Sequence, residues 1–238
     1  MNKKVRKEEF FTKRMRNGLA YVEDEILPFS GIFVFRYGNG NIKEYEPFVN
    51  GIKEGINEKY YENGQLKESN YFIDGSLNGD SIQYYENGQM KESMVFSKDK
   101  IDGEWIKYYE DGTIKTRGLF RNGILEGNRI TYYPNGAVKE IASFKNNLLH
   151  GKYQKYFENG VLDGEVIYYY ENGEIKIQEE YKNQEKNGKY IRYYENGTVN
   201  AIGNFKKGKL NGDWTMFYEN GRLLGSAYFE EGEIKKEK

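Results

Sequence analysis

One stretch of ten residues, Gly-x-x-x-x-Tyr-Tyr-Glu-Asn-Gly, as at Gly55–Gly64, returns along almost the whole chain and limits its fold more than any other feature. The opening glycines fall at Gly31, Gly55, Gly79, Gly103, Gly127 and Gly151, 24 residues apart, then at Gly164 after only 13, and then at Gly188 and Gly212 at 24 again. A fixed period of this length marks a repeat architecture, in which each unit buries its faces against its neighbours. A second glycine follows nine residues into each unit, from Gly40 to Gly221, preceded by Asn in eight units and by Asp111 in the ninth. Asn-Gly between aromatic and β-branched runs is a strong hairpin signal. Both central residues of a type I′ turn need positive φ, which Asn, Asp and Gly tolerate best. Each full unit thus reads as a strand of about five residues, a two-residue type I′ turn, a longer return strand, and a looser turn such as Ile73–Gly79.

With 23 Tyr, 14 Phe and 28 Gly but only 3 Pro among 238 residues, the composition is that of strands and tight turns. No window carries a 3.6-residue period, so no helix is expected. The predicted fold is all-β: an elongated, twisted, single-layer antiparallel sheet of stacked β-hairpins with a 24-residue period. Strands about 4.8 Å apart would give a rise of roughly 10 Å per unit and a trough-like ribbon roughly 80 Å long. Residues 1–30 read as an N-terminal capping segment, in which Phe11, Lys13 and Met15 alternate before an Asn17-Gly18 turn and a return strand from Leu19 to Val22. Residues 31–150 hold repeats one to five, 151–163 a truncated repeat, and 164–238 repeats seven to nine with a C-terminal cap. The truncated repeat is eleven residues short and reads as a deletion absorbed by the array, ahead of a kink or hinge.

The charges exclude more than they assign. Asp and Glu number 37 against 36 Lys and Arg, which argues against the basic footprint of a nucleic-acid binder. Without cysteine there is no disulfide framework, Cys zinc site or thiol nucleophile. The single histidine, His150, reads as a solvated residue of a linking turn, and alone makes neither a metal site nor a nucleophile–base pair. The recurring Glu62, Glu86, Glu110, Glu158, Glu171, Glu195 and Glu219 read as exposed turn flanks, in preference to catalytic carboxylate pairs or calcium ligands. No cofactor is called for and no enzyme is expected. No apolar run reaches the length of a signal peptide or a membrane span, so a cytoplasmic location is expected.

Folding a unit about its turn pairs Tyr61 with Leu66, Lys59 with Glu68 and Asn57 with Asn70, which sorts side chains between two faces. One face gathers a candidate aromatic seam: Trp105 and Trp214 with Phe72, Phe96, Phe120, Phe144 and Phe205. The other carries a candidate interaction stripe of Tyr60, Tyr84, Tyr108, Tyr132, Tyr156, Tyr169 and Tyr193, flanked by Lys67, Lys91, Lys115, Lys139 and Lys176. Lysine stems laid along tyrosine rings stabilise an exposed sheet face. Contiguous aromatic patches also mark interaction surfaces.

The units resemble MORN repeats in their bacterial variant. Gly103-Glu-Trp-Ile-Lys-Tyr-Tyr-Glu-Asp-Gly-Thr-Ile-Lys115, continuing through Phe120 and Gly123 to Gly127, carries the resemblance best, and Phe205-Lys-Lys-Gly208-Lys-Leu-Asn-Gly212-Asp-Trp214 nearly as well. The resemblance covers residues 31–238, with departures at Pro134, at Asp99, Asn147 and Gln184 where glycine is expected, and at the truncated unit. It implies a single-layer sheet of stacked hairpins and no catalytic residues. Proteins with such repeats are similar to antitoxin components of bacterial toxin–antitoxin modules, which implies a non-enzymatic scaffold for a protein partner such as a toxin. Contact with membrane lipid or glycan through the Tyr/Lys stripe is the alternative. A monomer or weak homodimer is expected.

Overall fold

The computed structural model describes residues 7–8 and 12–237. Every regular element among them is a β-strand. The described residues form two compact units, one of those up to residue 114 with 119–124, and one of residues 115–118 with 125–237.

In the first unit, Gly31–Arg36 pairs with Ile42–Val49, Gly55–Tyr60 with Leu66–Ile73, and Ser76–Tyr84 with Met90–Ser97, all antiparallel. Consecutive hairpins join along the sheet, as Leu66–Ile73 does with Ser76–Tyr84. In the second unit the ladder runs from Ile124–Tyr132 through Val138–Lys145, Leu148–Tyr156, Leu162–Tyr169 and Ile175–Lys182 to Glu185–Tyr193, and continues to Glu233–Glu237. Strands extend to nine residues, as in Ser76–Tyr84, because the unit-opening glycine lies inside the strand and not at its start. Gly79 has φ 75° there, beside a register shift between Asn70 and Phe72 of the neighbouring strand.

The two kinds of turn exchange the roles expected of them. The linking turns are the tight type I′ pairs: Asp74 and Gly75 sit at φ 48° and 78°, and Asn122 and Gly123 at 52° and 82°. The Glu-Asn-Gly turns are three-residue loops, in which Gly64 N–H donates to Tyr61 C=O and Tyr61 N–H to Gln65 C=O. Only the glycine there has positive φ, 88° at Gly64. The three-residue loop brings a bulge that shifts the pairing: Tyr60, not Tyr61, faces Leu66, while Lys59–Glu68 and Asn57–Asn70 pair as expected.

Of the segment read as a cap, residues 1–6 and 9–11, including Phe11, lie outside the described residues. Lys13–Arg16 and Leu19–Val22 form a separate two-stranded sheet about Asn17-Gly18. It lies against the first repeat: Ala20, Val22 and Phe29 pack on Phe33 and Phe48, with Phe35 beside them. Ala20 N–H donates to Gly51 C=O at 2.8 Å, and Gly51 N–H to Phe29 C=O at 2.7 Å. Lys7–Glu8 adds a parallel strand to Gly31–Arg36, which covers backbone groups that a sheet edge would leave open.

Candidate functional site

Asparagine recurs in the Glu-Asn-Gly turns for its side chain, not for its φ. Asn63 Oδ1 accepts from Gln65 N–H at 2.9 Å, closing its own loop, while its amide donates to Glu86 C=O in the next turn at 3.4 Å. Asn87 does the same to Glu110 at 2.9 Å. The tyrosine that opens the turn makes a parallel latch in six units. The hydroxyls of Tyr37, Tyr61, Tyr85, Tyr133, Tyr170 and Tyr194 each donate to the backbone carbonyl 23 residues on, at 2.7–2.9 Å. Phe157, in the truncated unit, has no hydroxyl and is 53 % exposed.

The expected stripe is corrected in its pairing. The lysines ride on the second tyrosine of the unit: Lys67 lies 5.4 Å from the Tyr61 ring centroid, Lys91 5.8 Å from Tyr85, Lys139 5.3 Å from Tyr133 and Lys176 5.3 Å from Tyr170. The first tyrosine looks elsewhere. Tyr60 donates to Glu58 at 2.7 Å, and burial together with that carboxylate pushes its phenol well above the ordinary range. The bulge causes this exchange, because it sets Leu66 opposite Tyr60 and leaves Lys67 as the extra residue.

The seam is only partly aromatic. Trp105 meets Phe120 edge-on at 5.8 Å and donates to Glu92 at 2.5 Å. In the repeats before it the centre is polar and buried: Asn57, 3 % exposed, donates to Tyr45 C=O at 2.7 Å, and Ser81 donates to Asn70 Oδ1 at 2.6 Å. At the first repeat the buried Glu46 takes Lys13 from the hairpin and Lys53, the latter at 2.9 Å. Burial pushes the Glu46 carboxyl up, but hydrogen bonds and charge from the two lysines outweigh it and hold it below the usual carboxylate range.

The truncated repeat turns the array over. Its strand Leu162–Tyr169 serves twice, as the return strand of the unit opening at Gly151 and as the outgoing strand of the one opening at Gly164. Glu-Asn-Gly turns therefore stand at both ends of one strand, and the turns after Gly164 fall on the opposite edge from those before. A unit of fixed handedness that keeps its stacking direction but points its turn the other way must also present its other face. Direct partners across an antiparallel ladder share a face, and their rows show the exchange. One row runs Arg129, Ala142, Tyr153, Ile167, Gln178, Ile191, and the other Ile130, Ile141, Gln154, Val166, Glu179, Tyr190. Seam residues cross from the first row to the second at Val166. The step is an added register shift: Gln154 pairs with Val166, one residue beyond the partner that the pairing Glu58–Ser69 predicts.

Side chains agree with the rows. Lys152 lies 5.5 Å over Tyr168 on one face. On the other, Tyr153 donates to Glu140 at 3.1 Å, and Tyr169 is raised by burial and then by Tyr153 and Glu165. The expectation of one continuous stripe and one continuous seam is thereby corrected in the second unit. Tyr132 and Tyr156 lie on the face opposite Tyr169 and Tyr193, and Phe144 on the face opposite Phe205 and Trp214. The truncation is not simply absorbed.

His150 lies in the strand Leu148–Tyr156 and not in a turn, half-buried, its Nδ1 buried without a hydrogen-bond partner. Elsewhere its column accepts a backbone N–H twenty residues on, as Glu54 does from Asp74 and Glu126 from Asn146. Twenty residues beyond His150 is Tyr170, which opens a Glu-Asn-Gly turn, so the fusion of units has removed the partner. Among the described residues no group of three or more His, Cys, Asp or Glu is placed to hold a metal ion.

After the inversion the seam holds the buried Val166 and Glu179, and then an aromatic cluster at the repeats opening at Gly188 and Gly212. Tyr190 stacks on Trp214 at 5.3 Å and meets Phe205 at 5.6 Å. A Cβ on Gly203 would lie 2.3 Å from Trp214, so glycine there lets the indole lie flat on the sheet. Beside Trp214 is an open, largely apolar hollow of about 480 Å³, lined by Met216, Gly225, Ala227, Phe229 and Ile234 among others.

Among solved structures, the crystal structure of TcdB2-TccC3-Cdc42 matches 89 % of this chain and that of TcdB2-TccC3 90 %, both at 12 % identity with a TM-score of 0.22. This chain spans 14 % of the length of each. No curated protein matches. A family model described as a MORN repeat variant matches eight times, at 53–74, 77–98, 101–122, 125–146, 149–166, 162–183, 186–207 and 210–230. Two of those matches share residues 162–166, within the strand that the structure shows serving two units. The chain belongs to the MORN repeat variant family.

Proposed function

We propose that the chain is a non-enzymatic repeat scaffold that binds a protein partner on its seam. Membership of the family supports a scaffold for protein or membrane contact. One observation favours protein: the chain's own hairpin, Lys13–Val22, is seated on the seam of the first repeat, where Ala20, Val22 and Phe29 bury Phe33 and Phe48. This surface thus accepts a β-hairpin laid across it. Half-buried Tyr, Trp and Phe side chains held on a rigid sheet lose little conformational freedom on contact, as at the energetic centres of protein interfaces.

Affinity capture with the intact chain and with a Tyr190→Ala/Trp214→Ala variant tests this reading. A specific protein recovered by the wild type and reduced at least tenfold by the variant supports it. Capture indifferent to the variant, together with tight binding to anionic vesicles, contradicts it. The narrower role implied by the family resemblance, neutralising a toxin, is tested by co-expression with a toxin encoded beside it: restored growth supports that role and unrelieved toxicity removes it.

A further inference from the structure

We infer that the hollow beside Trp214 is a docking seat for a β-hairpin of a partner protein whose seam-facing side chains are all small or apolar. This deepens the scaffold reading and rests on it.

Counted from the unit-opening glycine, Trp214, Met216, Ala227, Phe229 and Ile234 of the repeat at Gly212 occupy the columns held by Phe33, Phe35, Glu46, Phe48 and Lys53 in the repeat at Gly31. In the first repeat these columns are covered by the chain's own hairpin. In the later repeat the same five columns line the hollow, with Met216 38 % and Ile234 55 % exposed.

The substitutions between the two seats define the occupant. Glu46, which receives Lys13 of the hairpin, is replaced by Ala227, and Lys53 by Ile234. The carboxylate that makes the first seat select a lysine is gone, as is the second lysine that shares it, and a lysine buried there would lack a counter-charge. The occupant therefore resembles the chain's own hairpin, with small residues in the places of Ala20 and Val22 and an aliphatic one in the place of Lys13. The seat lies on the opposite face from the seam of the repeats at Gly127 and Gly151, because the fused strand intervenes.

The probe is a cyclised synthetic hairpin of residues 12–30 carrying Lys13→Leu, titrated into the full-length chain in a Trp105→Phe background so that Trp214 alone reports. Saturable binding with a blue shift of Trp214 emission is expected, at least tenfold tighter than for the hairpin that keeps Lys13. Met216→Arg should weaken binding at least tenfold, and Tyr228→Arg, on the opposite face, should leave it unchanged, with circular dichroism confirming that both variants fold. Absence of a saturable shift, equal affinity for both hairpins, or indifference to Met216→Arg overturns the inference. If the intact chain still captures a protein partner when Met216→Arg has no effect on that capture, this seat falls while the scaffold reading stands.

Discussion

At the scale of single residues, the repeat is held by side chains that reach the next unit's backbone. The Tyr61 hydroxyl on Tyr84 C=O makes one such bond. Bonds of this kind contribute about 1 kcal/mol each, so Tyr61→Phe should lower stability by about that much in denaturant titration. Phe157→Tyr, which adds a hydroxyl where the period breaks, should change stability by less than about 0.5 kcal/mol. Glu46 gives a pH dependence whose sign follows from its lowered carboxyl. A carboxyl held below its unfolded value stabilises the fold above that unfolded value, and the contribution is lost as pH falls through the folded one. Acidification below the usual carboxylate range should therefore lower the hydrogen-exchange protection factors of the Ala20 and Gly51 amides, which tie the hairpin down, and Glu46→Gln should flatten that dependence. Glu179 occupies the same column and needs no hairpin: Lys186 at 2.7 Å and the Tyr181 hydroxyl at 2.9 Å satisfy it within its own repeats.

At the scale of elements, the turns carry a prediction of their own. Gln184, in a linking type I′ turn, sits at φ 69° without the local hydrogen bonding that suits Asn to this region. Gln184→Gly should raise stability by about 0.5–1 kcal/mol, partly offset by the freedom glycine gains in the unfolded chain; a rise in midpoint denaturant concentration checks it. The strand-and-turn grammar was legible in the sequence because alternation and turn residues repeat. Turn type was not. Asn-Gly is compatible with a two-residue loop and with a three-residue loop plus bulge, and only the pairing of Tyr60 with Leu66 distinguishes them. That one-residue difference decided which tyrosine carries the lysine. The polar centre of the seam at Asn57, Asn70 and Ser81 is legible residue by residue, but the Trp and Phe at the same columns of other units suggest an aromatic column.

At the scale of the molecule, the truncated repeat matters most. Eleven absent residues fuse two units through one strand, and an added register shift carries the seam to the other face. The numbers in the sequence permitted this reading: the interval between Gly151 and Gly164 leaves Val166 and Tyr168 on one side of the strand whichever unit they are counted from. The shift between Gln154 and Tyr156 was not visible there, because the loop closes as in the other units and the extra residue sits within the strand Leu162–Tyr169. The inversion therefore turns on which residue faces Tyr153. The chain has no native cysteine, so engineered pairs give a clean answer, since directly opposed strand residues lie within disulfide reach while neighbours on opposite faces point apart. Under mild oxidation Tyr153→Cys/Ile167→Cys should form an intrachain disulfide in high yield and Tyr153→Cys/Val166→Cys should not; the reverse pattern would show a seam that stays on one face and would contradict the inversion.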